Sequence, residues 1–364
     1  MAGRRKGGSK REGEGSGKGG PRRPAKGAPK ETAKGVAKRA SKTGSVPDAE
    51  APIELPPGLQ AALAPRAGRV VAHHGVAVLV RFEDGSTRQI WLAPEQRAVV
   101  GDRVEVRGER LEALPAHGVL RRRDPRGRER TIATNLDRLF IVVAAEPREQ
   151  PGYIDRGIVI ARAAGIEPTL VVNKLDLPGS AALVERLREI YGASCEVLAV
   201  SASERIGLDA ITGLLAPDRL GALVGPSGVG KSSLLNALVP DLALAVSELN
   251  RGSGHGRHTT TTATLHTLAG GGILVDTAGF KDFIAVDVEP GEVAACFPGF
   301  EGALEAGCRF RDCLHRSEPG CAVLAAAEAG RIAPRRLAAY SALLDELAAA
   351  SSRSTDPGFR KSSR

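Results

Sequence analysis

From residue 139 to residue 276 the apolar positions follow two alternating rhythms. Short unbroken runs read as strands buried on both faces: Leu139-Phe140-Ile141-Val142-Val143, Thr169-Leu170-Val171-Val172, Val197 to Val200, Leu220 to Val224 and Ile273-Leu274-Val275. Interspersed among them, Ile154 to Ala164, Ala181 to Tyr191, Leu208 to Leu215 and Ser233 to Val239 have the spacing of amphipathic helices. That succession predicts a parallel, doubly wound α/β sheet. Upstream, from Arg69 to Arg130, the rhythm is that of an all-β segment. Val70-Val71, Val76 to Phe82, Gln89-Ile90-Trp91-Leu92 and Arg103-Val104-Glu105-Val106 are strand-like, with Glu83-Asp84-Gly85-Ser86 as a turn. Such closely spaced short strands suit a small barrel such as an OB-fold, and an SH3-like barrel fits the same pattern. Helices are predicted within Ile332 to Ala350, while residues 1–60 and 351–364 lack periodicity and are expected to be disordered.

Charge sharpens this division. Residues 1–50 hold 14 Lys+Arg and 5 Asp+Glu, which accounts for the chain's whole formal excess of +9. A flexible arm binding RNA phosphates and a solubilising tail both fit that segment. Arg121, Arg122, Arg123, Arg126, Arg128 and Arg130 form a second basic run at the end of the barrel, suited to an RNA backbone or to a solvated loop. No apolar run approaches the roughly 20 residues of a membrane span. No targeting peptide is evident, so a cytoplasmic protein is expected.

The chemistry begins at Gly225-Pro226-Ser227-Gly228-Val229-Gly230-Lys231-Ser232, a complete G-x-x-x-x-G-K-[ST] motif between a strand and a helix that opens with Ser233. Glycines let the backbone turn tightly and aim its N–H groups at phosphate oxygens, and the helix N-terminus adds partial positive charge. Lys231 would reach the β- and γ-phosphates, and the Ser232 hydroxyl would ligate Mg²⁺. Asn173-Lys174-Leu175-Asp176 follows a strand and fits guanine. The Asp176 carboxylate can accept from N1–H and the exocyclic amine together, Asn173 would hold the loop, and the Lys174 stem would pack over the ring. Adenine offers no such donor pair, so it would be rejected by roughly 10⁴-fold or more. Ser201-Ala202, after another strand, would complete the pocket. The base-reading segment thus precedes the phosphate loop, the reverse of a conventional GTPase. The chain reads as a G domain whose old ends were joined, through Ala216 to Leu220, and whose new ends opened elsewhere.

Asp276-Thr277-Ala278-Gly279 is a D-x-x-G segment in which Asp276 would hold Mg²⁺ through water and the Gly279 N–H would sense the γ-phosphate. Before it lies a glycine-rich polar stretch, residues 251–262, with the character of a switch. Thr260 is the candidate Mg²⁺ ligand there. Phe280 stands where many GTPases place a water-orienting glutamine, and phenylalanine cannot make that bond. His258 is the nearest polar candidate for the role, and a solvated loop histidine is the alternative.

Cys308-x4-Cys313-x-His315-x5-Cys321 would close a tetrahedral Zn²⁺ shell with no open position, hence one structural ion. Disulfides, which no extracellular cue favours, and free thiols are the alternatives. Cys195 and Cys296 lie outside the cluster and read as core residues.

Phosphate loop, permuted order, G-x-x-R-H-T-T-T-T switch and C-x4-C-x-H-x5-C cluster together resemble the circularly permuted small ribosomal subunit biogenesis GTPases called RsgA or YjeQ. The resemblance spans roughly residues 65 to 350. It implies an OB-fold (65–131), a permuted GTPase domain in the motif order G4-G5-G1-G2-G3 (134–284) and a mainly α zinc-binding domain (285–350). It also implies GTP hydrolysis to GDP stimulated by the 30S subunit, contact with 16S rRNA, late 30S maturation and action as a monomer. In that family the histidine before the switch threonines is implicated in hydrolysis, matching His258, and the zinc ligands match Cys308, Cys313, His315 and Cys321. Ala278 departs from the family's frequent proline in D-x-P-G. A nucleotide-gated rRNA-binding module with little hydrolysis is the competing reading. A zinc hydrolase is disfavoured because four protein ligands leave no place for water.

Overall fold

The strand that leads into the phosphate loop lies in the middle of one extended sheet. In the computed structural model, which describes residues 64–123, 128–239, 242, 263–277 and 288–355, the strands are β1 (Arg66–His73), β2 (Ala77–Phe82), β3 (Thr87–Trp91), β4 (Arg103–Arg107), β5 (Arg110–Ala113), β6 (Leu120–Arg123), β7 (Glu129–Ala133), β8 (Arg138–Val143), β9 (Glu167–Val172), β10 (Glu196–Ala199), β11 (Leu220–Val224), β12 (Thr264–Thr267) and β13 (Ile273–Asp276). Their order is β10-β9-β8-β11-β13-β12-β1-β2-β3, with β4 on β1 and β5 on β4. Strands β10, β9, β8, β11 and β13 are parallel, and β12 runs antiparallel to β13.

Successive residues on these strands face opposite layers, as the pleat requires. Leu139, Ile141 and Val143 join one core with Tyr153, Ile154 and Ile158 of helix α1 (Tyr153–Ala163) and Leu183, Val184 and Leu187 of α2 (Ser180–Tyr191). Phe140 and Val142 turn to the other face, against Leu208 and Ile211 of α3 (Leu208–Gly213) and Leu234 and Leu235 of α4 (Lys231–Leu238). The doubly wound sheet read from the apolar rhythm is therefore present. Residues 214–219 alone connect α3 to β11 across the permuted junction.

Strands β1 to β5 curl around a separate core of Val70, Val78, Val80, Phe82, Ile90, Val104 and Val106. Strand β1 is longer than its apolar centre indicated, because its polar start pairs with β4 and its end touches β12 at Ala72↔Thr264. Within the basic run, residues 121–123 lie in β6 and residues 129–130 in β7, and the two strands pair antiparallel. Leu120 of β6 and Ala133 of β7 pack with Leu139 in the central core, not with the core of β1 to β5.

The C-terminal region contains α5 (Val293–Cys296), α6 (Glu301–Glu305), α7 (Ala322–Glu328) and α8 (Pro334–Thr355). Helix α8 runs past residue 350, because the alanines at 348–350 favour continuation of the helix. Phe297, Phe300 and Tyr340 form a triad with ring centroids 4.8, 5.4 and 5.0 Å apart. Beside it Arg336 is buried, ion-paired with Asp155 of α1 and donating to the Pro298 carbonyl, with its guanidinium 4.9 Å from the Tyr191 ring centroid. Asp155 also accepts from the Tyr191 hydroxyl at 3.2 Å. Removing one partner of a buried pair leaves the other charge uncompensated, so Arg336→Ala should destabilise the fold by about 3–5 kcal/mol. Urea denaturation measures this; a loss under about 1 kcal/mol, the size of an exposed pair, would refute the clasp.

Candidate functional site

Backbone conformation at the phosphate loop requires glycine where the motif places it. Gly230 has φ 95°, and a Cβ there would lie 2.4 Å from Asn173 Nδ2. At Gly225 a Cβ would meet the Val142 carbonyl at 2.4 Å. The loop is thus pressed onto the ends of β8 and β9. Lys231, the first residue of α4, donates from Nζ to the Gly225 and Pro226 carbonyls at 2.6 and 2.9 Å, so its ammonium lies across the loop. Val229 is buried and anchors the loop, while Ser227 and Gly228 are exposed at its crest and Pro226 is half-buried. Ser232 and Ser233 fall in the first turn of α4, whose N–H groups have no partner within the helix.

Asn173 is the residue that unites the site. Only 1% exposed, it donates from Nδ2 to the Val229 carbonyl at 2.8 Å and accepts at Oδ1 from the Ala202 N–H at 3.2 Å. One amide side chain therefore locks the base-reading, phosphate and 201–206 segments together. Lys174 takes a left-handed φ of 63°, uncommon for a residue with a Cβ. Its Nζ donates to the Glu146 carbonyl at 3.0 Å, its own carbonyl accepts from Ser180 Oγ at 2.7 Å, and the Leu175 N–H donates to Val200.

Asp176 is exposed, accepting from Ser201 Oγ in a short bond and from Ser203 Oγ at 3.1 Å. The Ser201 hydroxyl above all holds the Asp176 carboxyl below its ordinary range. Sequence reasoning stopped at Ser201 and Ala202 and missed Ser203, although the repeated serine was visible. It also missed the loop after β8, where Glu146 holds Lys174 and Pro147 lies 3.4 Å from where a Gly228 Cβ would be. No sequence signal marks a backbone carbonyl.

Asp276 ends β13 opposite Leu223 of β11, which brings it to the start of the phosphate loop. Burial raises its carboxyl, against the opposing pull of His266 and Lys231. Thr277 Oγ1 donates to the Leu223 carbonyl at 2.7 Å and pins the chain just beyond. Ser232 and Asp276 offer hard oxygen donors of the kind Mg²⁺ takes. His258, Thr260, Gly279 and Phe280 lie outside the described residues.

In the C-terminal region Cys308, Cys313, His315 and Cys321 converge, with all four ligand atoms within 4.8 Å of one another. His315 Nδ1 lies 3.5 Å from Cys308 Sγ and 3.3 Å from Cys321 Sγ, and the two sulfurs are 4.0 Å apart. A tetrahedral shell at ordinary Zn–S and Zn–N lengths has edges of about 3.8 Å between sulfurs and about 3.6 Å from sulfur to nitrogen. The cluster fits a four-coordinate metal ion, and all five cysteines are free thiols, so the disulfide alternative falls. Burial brings the Glu318 carboxyl up, but the N–H groups of Ser317, Glu318, Leu314 and Arg316 outweigh it and hold the group at about 2. That carboxylate fastens the loop carrying His315. Cys195 is buried in the central core, where burial lifts its thiol to about 11; Cys296 is only partly buried.

Among the described residues no helix is long and apolar enough to cross a membrane. A profile of the RsgA GTPase family matches residues 113–285. The small ribosomal subunit biogenesis GTPase RsgA of Pseudomonas aeruginosa is 40% identical over 287 residues, covering 76% of this chain and 84% of that protein. Its namesake from Chromohalobacter salexigens is 41% identical over 295 residues, covering 78% and 86%. Among solved structures, YjeQ from Thermotoga maritima superposes with a TM-score of 0.63 at 31% identity, over 78% of this chain and 98% of that one. YloQ, described as a circularly permuted GTPase, gives 0.58 at 25% identity, over 78% and 94%. Relatives matched at this identity over most of their length, together with a solved neighbour described as circularly permuted, place the chain in the RsgA GTPase family, as a GTP hydrolase built on a circularly permuted G domain.

Proposed function

We propose that the chain hydrolyses GTP to GDP and phosphate under stimulation by the 30S subunit, and that it acts in late maturation of that subunit in the cytoplasm. The observation that carries the nucleotide half of this reading is Asn173, whose side chain spans from the Val229 carbonyl to the Ala202 N–H and so holds base and phosphate segments as one site. The ribosomal half rests on the names of the relatives. In this reading Asn173, Lys174, Leu175, Asp176, Ser201 and Ala202 take guanine. The segment from Gly225 to Ser233 takes the phosphates, with Lys231 on the β- and γ-oxygens. Mg²⁺ is held by Ser232, Thr260 and Asp276 and supplies neutralising charge. The Gly279 N–H faces the γ-phosphate, and His258 orients the attacking water. Cys308, Cys313, His315 and Cys321 hold one structural Zn²⁺, since three sulfurs and one imidazole suit that ion. We assign residues 65–131 as an OB-fold that meets 16S rRNA, 134–284 as the GTPase domain and 285–350 as the zinc domain of a monomer. The strand order β3-β2-β1-β4-β5 around one core supports the barrel assignment.

A second reading, a GTP-gated rRNA-binding module with little turnover, is favoured by Phe280, which cannot position water. Turnover measured with and without 30S subunits separates the two. Free protein should be slow, because ordering a glycine-rich switch costs conformational entropy in each cycle. The 30S subunit should raise the rate toward the low end of the roughly 10³–10⁵-fold seen when a GTPase site is completed in trans, or to somewhat less. His258→Ala should abolish most of that rise with nucleotide affinity nearly unchanged. Full stimulation in His258→Ala would return His258 to the role of a solvated loop residue.

A further inference from the structure

The loop that follows β10 is closed on itself, with Ser201 and Ile206 exchanging backbone hydrogen bonds of 3.0 Å in both directions. Ser203 stands within it, and both of its neighbours are pinned. The Ala202 N–H donates to Asn173 Oδ1 at 3.2 Å, and the Glu204 N–H donates to Ser201 Oγ at 3.2 Å. Arg205 turns the chain back through the left-handed region, with φ 56°. Ser203 itself is exposed, so the packing of the core does not require a hydroxyl at this position. Yet its Oγ lies 3.1 Å from Asp176 Oδ1 and 3.0 Å from Ser201 Oγ. The buried Ser201 donates to the same Oδ1. Two hydroxyls therefore converge on one carboxylate oxygen.

We propose that Ser203 is a positioning residue for the base. Acting through Asp176, it sets how strongly the site prefers guanine to hypoxanthine, the purine that lacks the 2-amino group. Guanine presents two donors on one edge, so it needs both carboxylate oxygens held in the plane of the base. Hypoxanthine presents only N1–H there, and a carboxylate turned out of that plane still meets it. The terminal torsion of an aspartate is broad, so a single bond from Ser201 leaves the group room to turn. A second hydroxyl on Oδ1 narrows that freedom. It does so at little entropic cost, because the backbone on either side of Ser203 is already fixed. Both hydroxyls also favour the charged carboxylate, Ser201 more and Ser203 less, with Lys174 acting in the same sense. The inference rests on the proposed assignment of guanine to Asp176, and it adds the residue that separates purines sharing an N1–H.

Competition binding on the full-length protein tests it. Ribose-labelled GDP (labelled XDP for Asp176→Asn) is displaced by unlabelled GDP, IDP and XDP from the unaltered chain and from Ser203→Ala, Ser203→Thr and Asp176→Asn. Ser203→Ala should weaken GDP by about 3- to 10-fold, the loss of one hydrogen bond, and IDP by less than about 2-fold. The gap between the two nucleotides therefore narrows. Ser203→Thr retains the hydroxyl and should restore the original ratio. An equal loss for GDP and IDP would mean that Ser203 merely supports the loop. That result, an unchanged ratio in Ser203→Ala, or a threonine variant as impaired as the alanine one would each overturn the assignment. Asp176→Asn separates this inference from the reading beneath it. If that variant still prefers GDP to XDP, Asp176 does not read guanine and both assignments fall. If it turns to XDP while Ser203→Ala keeps the original ratio, the role of Ser203 alone falls.

Discussion

Asp176→Asn should cost the protein its preference for guanine, shifting selectivity between GTP and XTP by about 10⁴-fold towards XTP. In the proposed site the carboxylate would accept from two guanine donors at once. An amide replaces one acceptor oxygen by a donor, which clashes with the guanine amine and suits the xanthine carbonyl. The neighbours make this a clean exchange. Ser201 and Ser203, which donate to Asp176, carry hydroxyls that rotate and can accept equally well. Asn173, buried and bonded to Val229 and Ala202, keeps the loop in place without help from Asp176. The depressed carboxyl sets the pH window as well. Since the charged form is favoured in the fold, guanine selectivity should hold through neutral pH and above the ordinary carboxylate range, and fail only as pH falls through the depressed value. Competition between GTP and XTP for one labelled nucleotide measures both effects, and unaltered selectivity in Asp176→Asn would end the assignment of this residue to the base.

The second large effect concerns the metal. Metal analysis should find about one Zn²⁺ per chain, and Cys313→Ala should lose it. Without metal, burial chiefly pushes the Cys313 thiol up to about 12, against the His315 N–H, so a bound cation would favour the thiolate. Binding therefore releases protons, and affinity should fall as pH falls. The structural consequence reaches beyond the ligands. Cys313 and Cys321 belong to the same core as Phe297, Phe300, Val323 and Tyr340, and the Tyr340 hydroxyl donates to the Leu314 carbonyl at 3.0 Å. Zinc-finger peptides draw an apparent 10–16 kcal/mol from their ion, so withdrawing it should loosen residues 288–349 as a unit. Limited proteolysis of the chelated protein would reveal this. A fully folded, metal-free preparation that resists the protease would sink the structural zinc.

Much of the site was legible because each part is a contiguous segment with its own chemistry. The phosphate loop, the N-K-L-D turn and the Cys308, Cys313, His315 and Cys321 cluster each announce themselves within one short segment, and the structure brings the members of each together. The parallel strands were equally plain, since burial on both faces leaves unbroken apolar runs such as Leu139 to Val143. What escaped was whatever depends on distant partners. The β6–β7 pair carries arginines where a buried strand would carry valines, so its pairing left little apolar trace. Strand β12, Thr264–Thr267, is mostly polar for a related reason: one of its faces holds Thr264 and His266, hydrogen-bonded to each other at 2.9 Å. The Asp155–Arg336 clasp joins residues far apart in sequence, and nothing near either one foretells it.

The single contact Ala72↔Thr264 has a consequence for solubility. Without it β12 would be the open margin of the central sheet, presenting free N–H and C=O groups to any passing strand, as unprotected margins do. With β1 laid beside it, the margin moves outward to β3, where Thr87, Arg88 and Gln89 precede the one buried residue, Ile90. Charged and polar side chains on an outer strand discourage strand addition. At the opposite margin β10 is only four residues long and opens with Glu196. At this one pair, strands β1 to β5 thus extend the central sheet and cover its margin at Thr264.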